Sequence, residues 1–157
     1  MFVNRRLAGF TLIELLVVIT VIAILAGLVA PMVFSHVGDA KISAARAQIE
    51  LFGLALEAYR LDNDYYPSSA QGLEALRSVP QSEPQARSWR GPYLKKSIPL
   101  DPWGRPYVYK SPGNVNPQGY DLLSYGRDGQ PGGAGEDADV TSWESGSRSP
   151  PPANRVP

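Results

Sequence analysis

Four carboxylates near the C-terminal end have residue types and spacing that could bind a metal ion. They lie in the glycine-rich stretch GRDGQPGGAGEDADV and are Asp128, Glu136, Asp137 and Asp139. Calcium prefers about six to eight oxygen ligands from carboxylates and backbone carbonyls, and glycines let a loop curl so that its carbonyls point inward. The spacing is not that of an EF-hand, and acidic glycine-rich stretches also form plain solvated loops. The residues by themselves leave both interpretations open.

The composition excludes several other kinds of chemistry. The 157 residues include no cysteine and a single histidine, His36, so disulfides, thiolate metal sites and most histidine-based catalysis are excluded. Fifteen basic and fifteen acidic residues cancel without forming a basic stripe, so we expect no nucleic-acid partner. A membrane-tethered enzyme that uses acid–base pairs from the acidic loop is the alternative class. We expect no enzymatic activity, because a calcium-filled loop without a cleft suits catalysis poorly.

An uncharged apolar run of 20 residues, Leu15 to Phe34, is long enough to cross about 30 Å of hydrocarbon as a helix. Arg5 and Arg6 precede it, which places the N-terminal side in the cytoplasm. A secretory signal would have its small residues after the apolar run, whereas Gly9 comes before it. A plain anchor and a leader cut after Gly9 are the alternatives, and the pattern favours the leader.

Glu14 is the one charge at the start of the apolar segment. A carboxylate inside hydrocarbon costs about 3 kcal/mol even on lenient scales, so it usually has a partner. Cleavage between Gly9 and Phe10 would create an α-amine that could neutralise the Glu14 of a neighbouring subunit. The competing interpretation is that Glu14 simply reaches the membrane interface.

The helical pattern continues beyond the apolar run, to about Leu61, which gives a helix of about 78 Å at 1.5 Å per residue. Gly27 and Pro31 are its weak points, because proline removes a backbone hydrogen bond and produces a kink. The second half carries one apolar stripe that we expect to pack on the chain's own domain. The stripe consists of Ile42, Ala45, Ile49, Phe52, Leu56 and Tyr59.

The remaining segments predict a small turn-rich domain. Ser68 and Gln71 fit a capping box for a short helix whose buried side would be Leu73, Leu76 and Val79. Strands are predicted at about 107–110 and 120–126, paired antiparallel. The polar, proline-rich tail 144–157 is predicted to be disordered.

The segment GFTLIELLVVITVIAILAGLVAP resembles the N-terminal signature of type IV pilins and type II secretion pseudopilins. The resemblance implies cleavage after Gly9 by a membrane peptidase, methylation of Phe10, and a role in assembly for Glu14. It also implies that Pro31 is a helix-kinking proline and that the helix melts locally between Gly27 and Pro31 when a subunit leaves the bilayer.

Three internal segments, YYPSSAQGLEAL, GPYLKKSIPLDPWGRPYVY and YDLLSYGRDGQPGGAGEDADVTSW, resemble the major pseudopilin family of type II secretion. The implied fold is α+β and type IV pilin-like, with a long N-terminal helix packed on a small antiparallel sheet and a calcium-binding loop at 125–140. The implied Ca²⁺ ligands are Asp128, the segment Asp137–Asp139, and carbonyls near Tyr125 and Gln130. Relatives commonly have an acidic residue where Gly135 stands, and Glu136 is the candidate substitute.

The resemblance implies a filament subunit with residues 1–9 as a cleaved leader, 10–34 as the transmembrane or filament-core helix, and 35–143 as a periplasmic domain. The subunit would sit in the bacterial inner membrane as a single-pass protein with a cytoplasmic N-terminus until it joins a helical filament of identical copies. Minor pseudopilins, an inner-membrane assembly platform, the prepilin peptidase and membrane lipid are the implied partners. A type IV pilin or competence pseudopilin for adhesion, motility or DNA uptake is the alternative. The DPWG motif, the acidic loop and the lack of a cysteine pair favour secretion.

Overall fold

The computed structural model describes residues 11–144 and contains one long helix and three short strands. The predicted leader, its cleavage point at Gly9 and Phe10, and the tail from 145 to 157 lie outside the described residues. The chain divides into two units between Gly38 and Asp39. Helix α1 spans Leu12–Asn63, and the strands are β1 at Val108–Lys110, β2 at Asp121–Ser124 and β3 at Val140–Thr141.

The first unit contains the N-terminal part of α1. The Glu14 amide donates to Thr11 Oγ1 at 3.2 Å, so the Thr11 side chain caps the first turn. The large apolar side chains between Leu12 and Leu25 are exposed. Gly27 and Pro31 lie within α1, and the predicted local melting there stays a prediction. Among the residues that the structure describes, we find no helix with both the length and the apolar character needed to span a bilayer.

The second unit is built on the apolar stripe of α1, as the sequence predicts. Five members of the stripe are buried and Ile42 is partly buried. The opposite side of this core comes from Tyr107, Leu122 in β2 and Val140 in β3. The rings of Phe52 and Tyr107 meet edge to face, with centroids 5.3 Å apart. The α+β architecture, with a long helix packed on a small sheet, is therefore confirmed.

The sheet is antiparallel with the order β1-β2-β3. Tyr109 pairs with Leu122, and Ser124 pairs with Val140. The two predicted strands are found, each somewhat shorter than expected, and their antiparallel pairing is confirmed. Strand β3 was not predicted, because two residues carry too little alternation to be recognised. Its position makes β2 the central strand.

The turn that follows α1 uses the predicted capping pair. The Ser68 amide donates to Gln71 Oε1 at 3.0 Å, and the Gln71 amide donates back to Ser68 Oγ at 3.3 Å. The element after it is a single 3₁₀ turn at Leu73–Leu76, which buries its two leucines. The predicted burial of Val79 is wrong: its side chain is 47% exposed, since the turn ends before reaching it.

Two leucines of α1, one buried in the core and one exposed, should differ in their contribution to the free energy of unfolding. Leu56→Ala should lower the free energy of unfolding by about 2–5 kcal/mol, because it leaves a cavity at a fully buried position. Leu54→Ala is the matched control on the same helix, at a position that is 70% exposed, and should change stability by less than about 0.5 kcal/mol. Denaturant unfolding of both variants measures the difference. Equal losses would contradict the burial of Leu56 in the core.

Candidate functional site

The turn of the DPWGR segment is held by a buried carboxylate. Asp101 is 5% exposed, and its Oδ1 accepts the amides of Trp103 at 3.0 Å and Arg105 at 2.8 Å. Its Oδ2 accepts the hydroxyl of Ser124, in β2, at 2.5 Å. One side chain therefore closes the turn and fixes it to the central strand, just before the glycine-rich loop begins.

Arg105 extends from this turn to the base of the loop. Its Nη1 donates to the carbonyl of Gly126 at 2.9 Å and also contacts the carbonyl of Arg127. A Cβ at Gly129 would lie 2.6 Å from the Arg105 side chain, so the absence of a side chain there leaves room for the guanidinium. Gly126, at φ +62°, adopts the left-handed backbone conformation that favours glycine.

Asp137 pairs with a cation of the same loop. Arg127 Nε and Nη2 donate to Asp137 Oδ1 and Oδ2, both at 2.9 Å, which is the bidentate geometry of charge-assisted hydrogen bonds. The Arg127 amide also donates to the carbonyl of Glu136 at 2.8 Å. The hydrogen bonds and charge of Asp137 raise the pKa of Arg127, and the charges of Glu136 and Asp128 add to the effect.

The other predicted ligands are dispersed around the loop. Glu136 Oε2 accepts the indole N–H of Trp103 at 3.4 Å, and Asp128 Oδ1 accepts the Gln130 amide at 3.0 Å. The carbonyl of Tyr125 accepts the Gly129 amide at 3.2 Å. Within residues 11–144, no group of three or more acidic or histidine side chains lies close enough together to hold a metal ion.

Among the predicted ligands, Asp139 has surroundings that fit a bound cation. Its Oδ2 accepts the Gly132 amide at 3.0 Å, whereas its Oδ1 is buried and has no hydrogen-bond partner in the described part of the chain. A buried acceptor without a partner is costly, and a bound cation would satisfy it. The donor set of carboxylates and carbonyls is also of the kind that calcium uses. Gly135, at φ +61°, brings no carboxylate to the loop.

The predicted assembly residue lies in the first turn of α1. Glu14 is exposed there, directly behind the Thr11 cap. Its position at the amino end of the helix is favourable for a negative charge, because unpaired amides give that end a partial positive charge. Gly9 and Phe10 themselves lie outside the described residues.

Sequence reasoning missed the groups that hold the loop: Asp101, Arg105, Arg127 and Ser124. The DPWG segment was noticed only for its resemblance. An aspartate followed by proline and then glycine is a turn signal that points to the Asp101 cap. The role of Arg105 has no comparable signal, because it depends on a contact with carbonyls about twenty residues away in the chain.

The long helix packs on a small antiparallel sheet, and in the sequence a short basic segment that ends in glycine precedes it. This arrangement is that of a pilin-like protein. A family model described as "Type II secretion system (T2SS), protein G" matches residues 32–143, and a "Prokaryotic N-terminal methylation motif" matches residues 4–30. The chain belongs to the type II secretion system protein G family.

Individual relatives agree with this assignment. A protein of Pseudomonas aeruginosa named "Type II secretion system core protein G" is 47% identical over 143 residues, covering 90% of this chain and 99% of the relative. One of the same name from Vibrio cholerae is 41% identical, covering 88% and 93% of the two chains. The crystal structure of the major pseudopilin from the type 2 secretion system of enterohaemorrhagic Escherichia coli is 36% identical and matches with a TM-score of 0.57. That match covers 67% of this chain and 88% of the other.

Asp101 gives a prediction for the site. Asp101→Ala should lower the free energy of unfolding by about 3 kcal/mol or more, because it leaves three donors without their acceptor. Asp39→Ala, which removes an equal charge from an exposed position on α1, is the matched control and should have little effect. Denaturant unfolding compares the two, and an Asp101 variant as stable as the control would contradict the capping role.

Proposed function

We propose that this protein is the structural subunit of the periplasmic pseudopilus of a type II secretion system. Copies polymerise through their N-terminal helices, and extension of the filament drives folded proteins across the outer membrane. Membership of the protein G family, the names of the relatives and the likeness to a major pseudopilin support this assignment. They also favour secretion over a role as a surface pilin or competence pseudopilin. A cytoplasmic ATPase would drive the extension of the filament.

The observation that carries the proposal is the exposed apolar N-terminal segment of α1. Isoleucine, leucine and valine side chains between Leu12 and Leu25 are about half exposed or more, although such surface is rarely left open in a soluble monomer. Lipid before assembly, and neighbouring copies after it, would cover this surface. In the second unit, Leu51 and Leu54 are also exposed on α1 and offer additional contact area.

The methylation motif supports a processing step that precedes assembly. A prepilin peptidase of the inner membrane cuts between Gly9 and Phe10 and methylates the new terminus. The subunit then waits as a single-pass protein with its C-terminal domain in the periplasm. An inner-membrane platform and minor pseudopilins are the further partners of this pathway.

The new α-amine and Glu14 supply the attraction between subunits. Thr11, which caps the first turn of the helix, directly follows the cut, and in the sequence the new amine at Phe10 precedes Glu14 by only a few residues. Inside an apolar bundle the two charges are best placed when each meets its counterpart on a neighbour, because buried charges must be paired.

Glu14→Gln should therefore abolish most filament formation while leaving the folded unit intact. The amide keeps the size of the side chain and removes only the charge. Filaments sheared from cells that overproduce the full secretion system are quantified, and mass spectrometry checks that the variant is still cut and methylated at Phe10.

Glu50→Gln, an exposed substitution of the same kind in the second half of α1, is the control and should assemble normally. If processed Glu14→Gln assembles as well as the unsubstituted chain, the charge has no part in assembly. An intact Met1 end on the unsubstituted chain would instead overturn the processing step.

We further propose that the 125–139 loop binds Ca²⁺. The unpaired Oδ1 of Asp139 and the exposed carboxylate of Asp128 are the side-chain ligands that the geometry favours, with carbonyls of the loop, including those near Tyr125 and Gln130, completing the set. Glu136 and Asp137 already have partners in Trp103 and Arg127, and would contribute only after releasing them. Calcium would act structurally here, by neutralising carboxylates and holding the loop closed.

Chelation should lower the melting temperature of the full-length protein, purified in detergent, by several degrees. A ligand that binds only the folded state stabilises it by about 2.7 kcal/mol at a hundredfold excess over Kd. The measurement compares thermal unfolding in excess EGTA with unfolding in millimolar CaCl₂.

Asp128→Asn should reduce this difference, and Asp39→Asn is the control of equal charge that should preserve it. A melting temperature that is the same in EGTA and in CaCl₂ would remove calcium from the proposal. It would leave the filament role untouched, because that role rests on the N-terminal segment.

A further inference from the structure

We propose that Arg127 is the resident cation of the 125–139 loop: it closes the loop by binding Asp137 and keeps that carboxylate away from calcium. The first half of this inference stands on the ion pair alone. The second half rests on the calcium site proposed above.

Two kinds of contact connect the same two segments of the loop. The Arg127 side chain binds Asp137 through two parallel hydrogen bonds of 2.9 Å, and its main-chain amide donates to the neighbouring Glu136 carbonyl at 2.8 Å. The side-chain pair therefore acts in a geometry that the backbone has already fixed. An isolated exposed ion pair contributes little, because ordering two long side chains offsets the attraction.

Arg105 holds the main chain of Arg127 from the other side. Its guanidinium contacts the carbonyls of both Gly126 and Arg127, and Asp101 fixes the turn from which Arg105 extends. The start of the loop is therefore anchored to the sheet before Arg127 reaches across. Less conformational entropy is lost when the pair forms, which increases its net contribution.

The charge balance of the segment gives Arg127 its importance. Residues 125–139 contain four carboxylates and one basic residue, which is Arg127. Closing the loop brings these carboxylates nearer to one another, and like charges at short range destabilise a closed form. The guanidinium offsets one of them permanently, whatever the calcium concentration.

The same pair divides the carboxylates into two sets. Asp137 uses both of its oxygens for Arg127, whereas Asp139 keeps a buried Oδ1 without a partner in the described part of the chain. Calcium is therefore directed to Asp128 and Asp139. Asp137, which the sequence predicted as a ligand, instead closes the loop through its contact with Arg127.

The test measures melting temperatures of the full-length protein in detergent, in excess EGTA and in millimolar CaCl₂. The variants are Arg127→Ala, Arg127→Lys and Asp137→Asn, with Arg46→Ala as a control that removes an equal charge from an exposed position on α1. In EGTA, Arg127→Ala should melt several degrees below the unsubstituted protein and the control. Arg127→Lys should be intermediate, because lysine keeps the charge but cannot form the two-pronged contact.

Addition of calcium should raise the melting temperature of Arg127→Ala by more than that of the unsubstituted protein, because Asp137 is then free to act as a ligand. If Arg127→Ala fails to fold, Asp137→Asn supplies the same test of closure in EGTA. Where all chains fold, the double variant Arg127→Ala/Asp137→Asn should melt no lower in EGTA than Arg127→Ala, because Asp137 has no contact left to lose once Arg127 is gone.

Additive losses in the double variant, or an EGTA melting temperature of Arg127→Ala equal to that of the control, would overturn the closure by Arg127. Equal calcium-induced rises in Arg127→Ala and the unsubstituted chain would overturn the exclusion of Asp137. If no chain responds to calcium while Arg127→Ala still melts early in EGTA, the closure is supported and the calcium site itself is overturned.

Discussion

Burial of one face of α1 is the interaction on which the folded unit depends. A sheet of three strands, none longer than four residues, has too little apolar surface to form a core by itself. Phe52, Leu56 and Tyr59 supply the missing volume from the helix. The hydroxyl of Tyr59 is buried without a partner among the described residues, and burial raises its pKa to about 12. The packing of the Tyr59 ring thus offsets the cost of burying its hydroxyl.

The sequence is most informative where a long periodic pattern coincides with burial. The 3-4 spacing of the stripe identified the buried face of α1, because many residues report the same period and small errors do not matter. Short elements lack this redundancy. Strand β3 contains two residues, and the turn at 73–76 ends before Val79. A repeating pattern could therefore predict neither the existence of β3 nor the end of that turn.

The acidic loop illustrates a different limit. Its composition indicates that carboxylates are close along the chain, but their partners are determined by contacts that sequence spacing does not encode. Trp103 reaches Glu136 from a turn 33 residues earlier, and Arg127 pairs with Asp137 across ten residues. A set of four equivalent candidate ligands therefore becomes four side chains with different surroundings. Whether an acidic residue faces a metal, an arginine or a backbone amide is a property of the folded loop.

The placement of β3 has a consequence for the order in which the domain can be completed. Ser142, directly after β3, exchanges hydrogen bonds with Leu122, since its amide donates to the Leu122 carbonyl at 2.8 Å and its Oγ accepts the Leu122 amide at 3.1 Å. The central strand therefore obtains its second neighbour from residues that lie beyond the glycine-rich loop. A chain interrupted before residue 140 has the whole helix but an unfinished sheet with an open edge. Completion of the sheet thus depends on the glycine-rich loop bringing the chain back to β2, and a cut within that loop would disconnect the central strand from its second neighbour in the sequence.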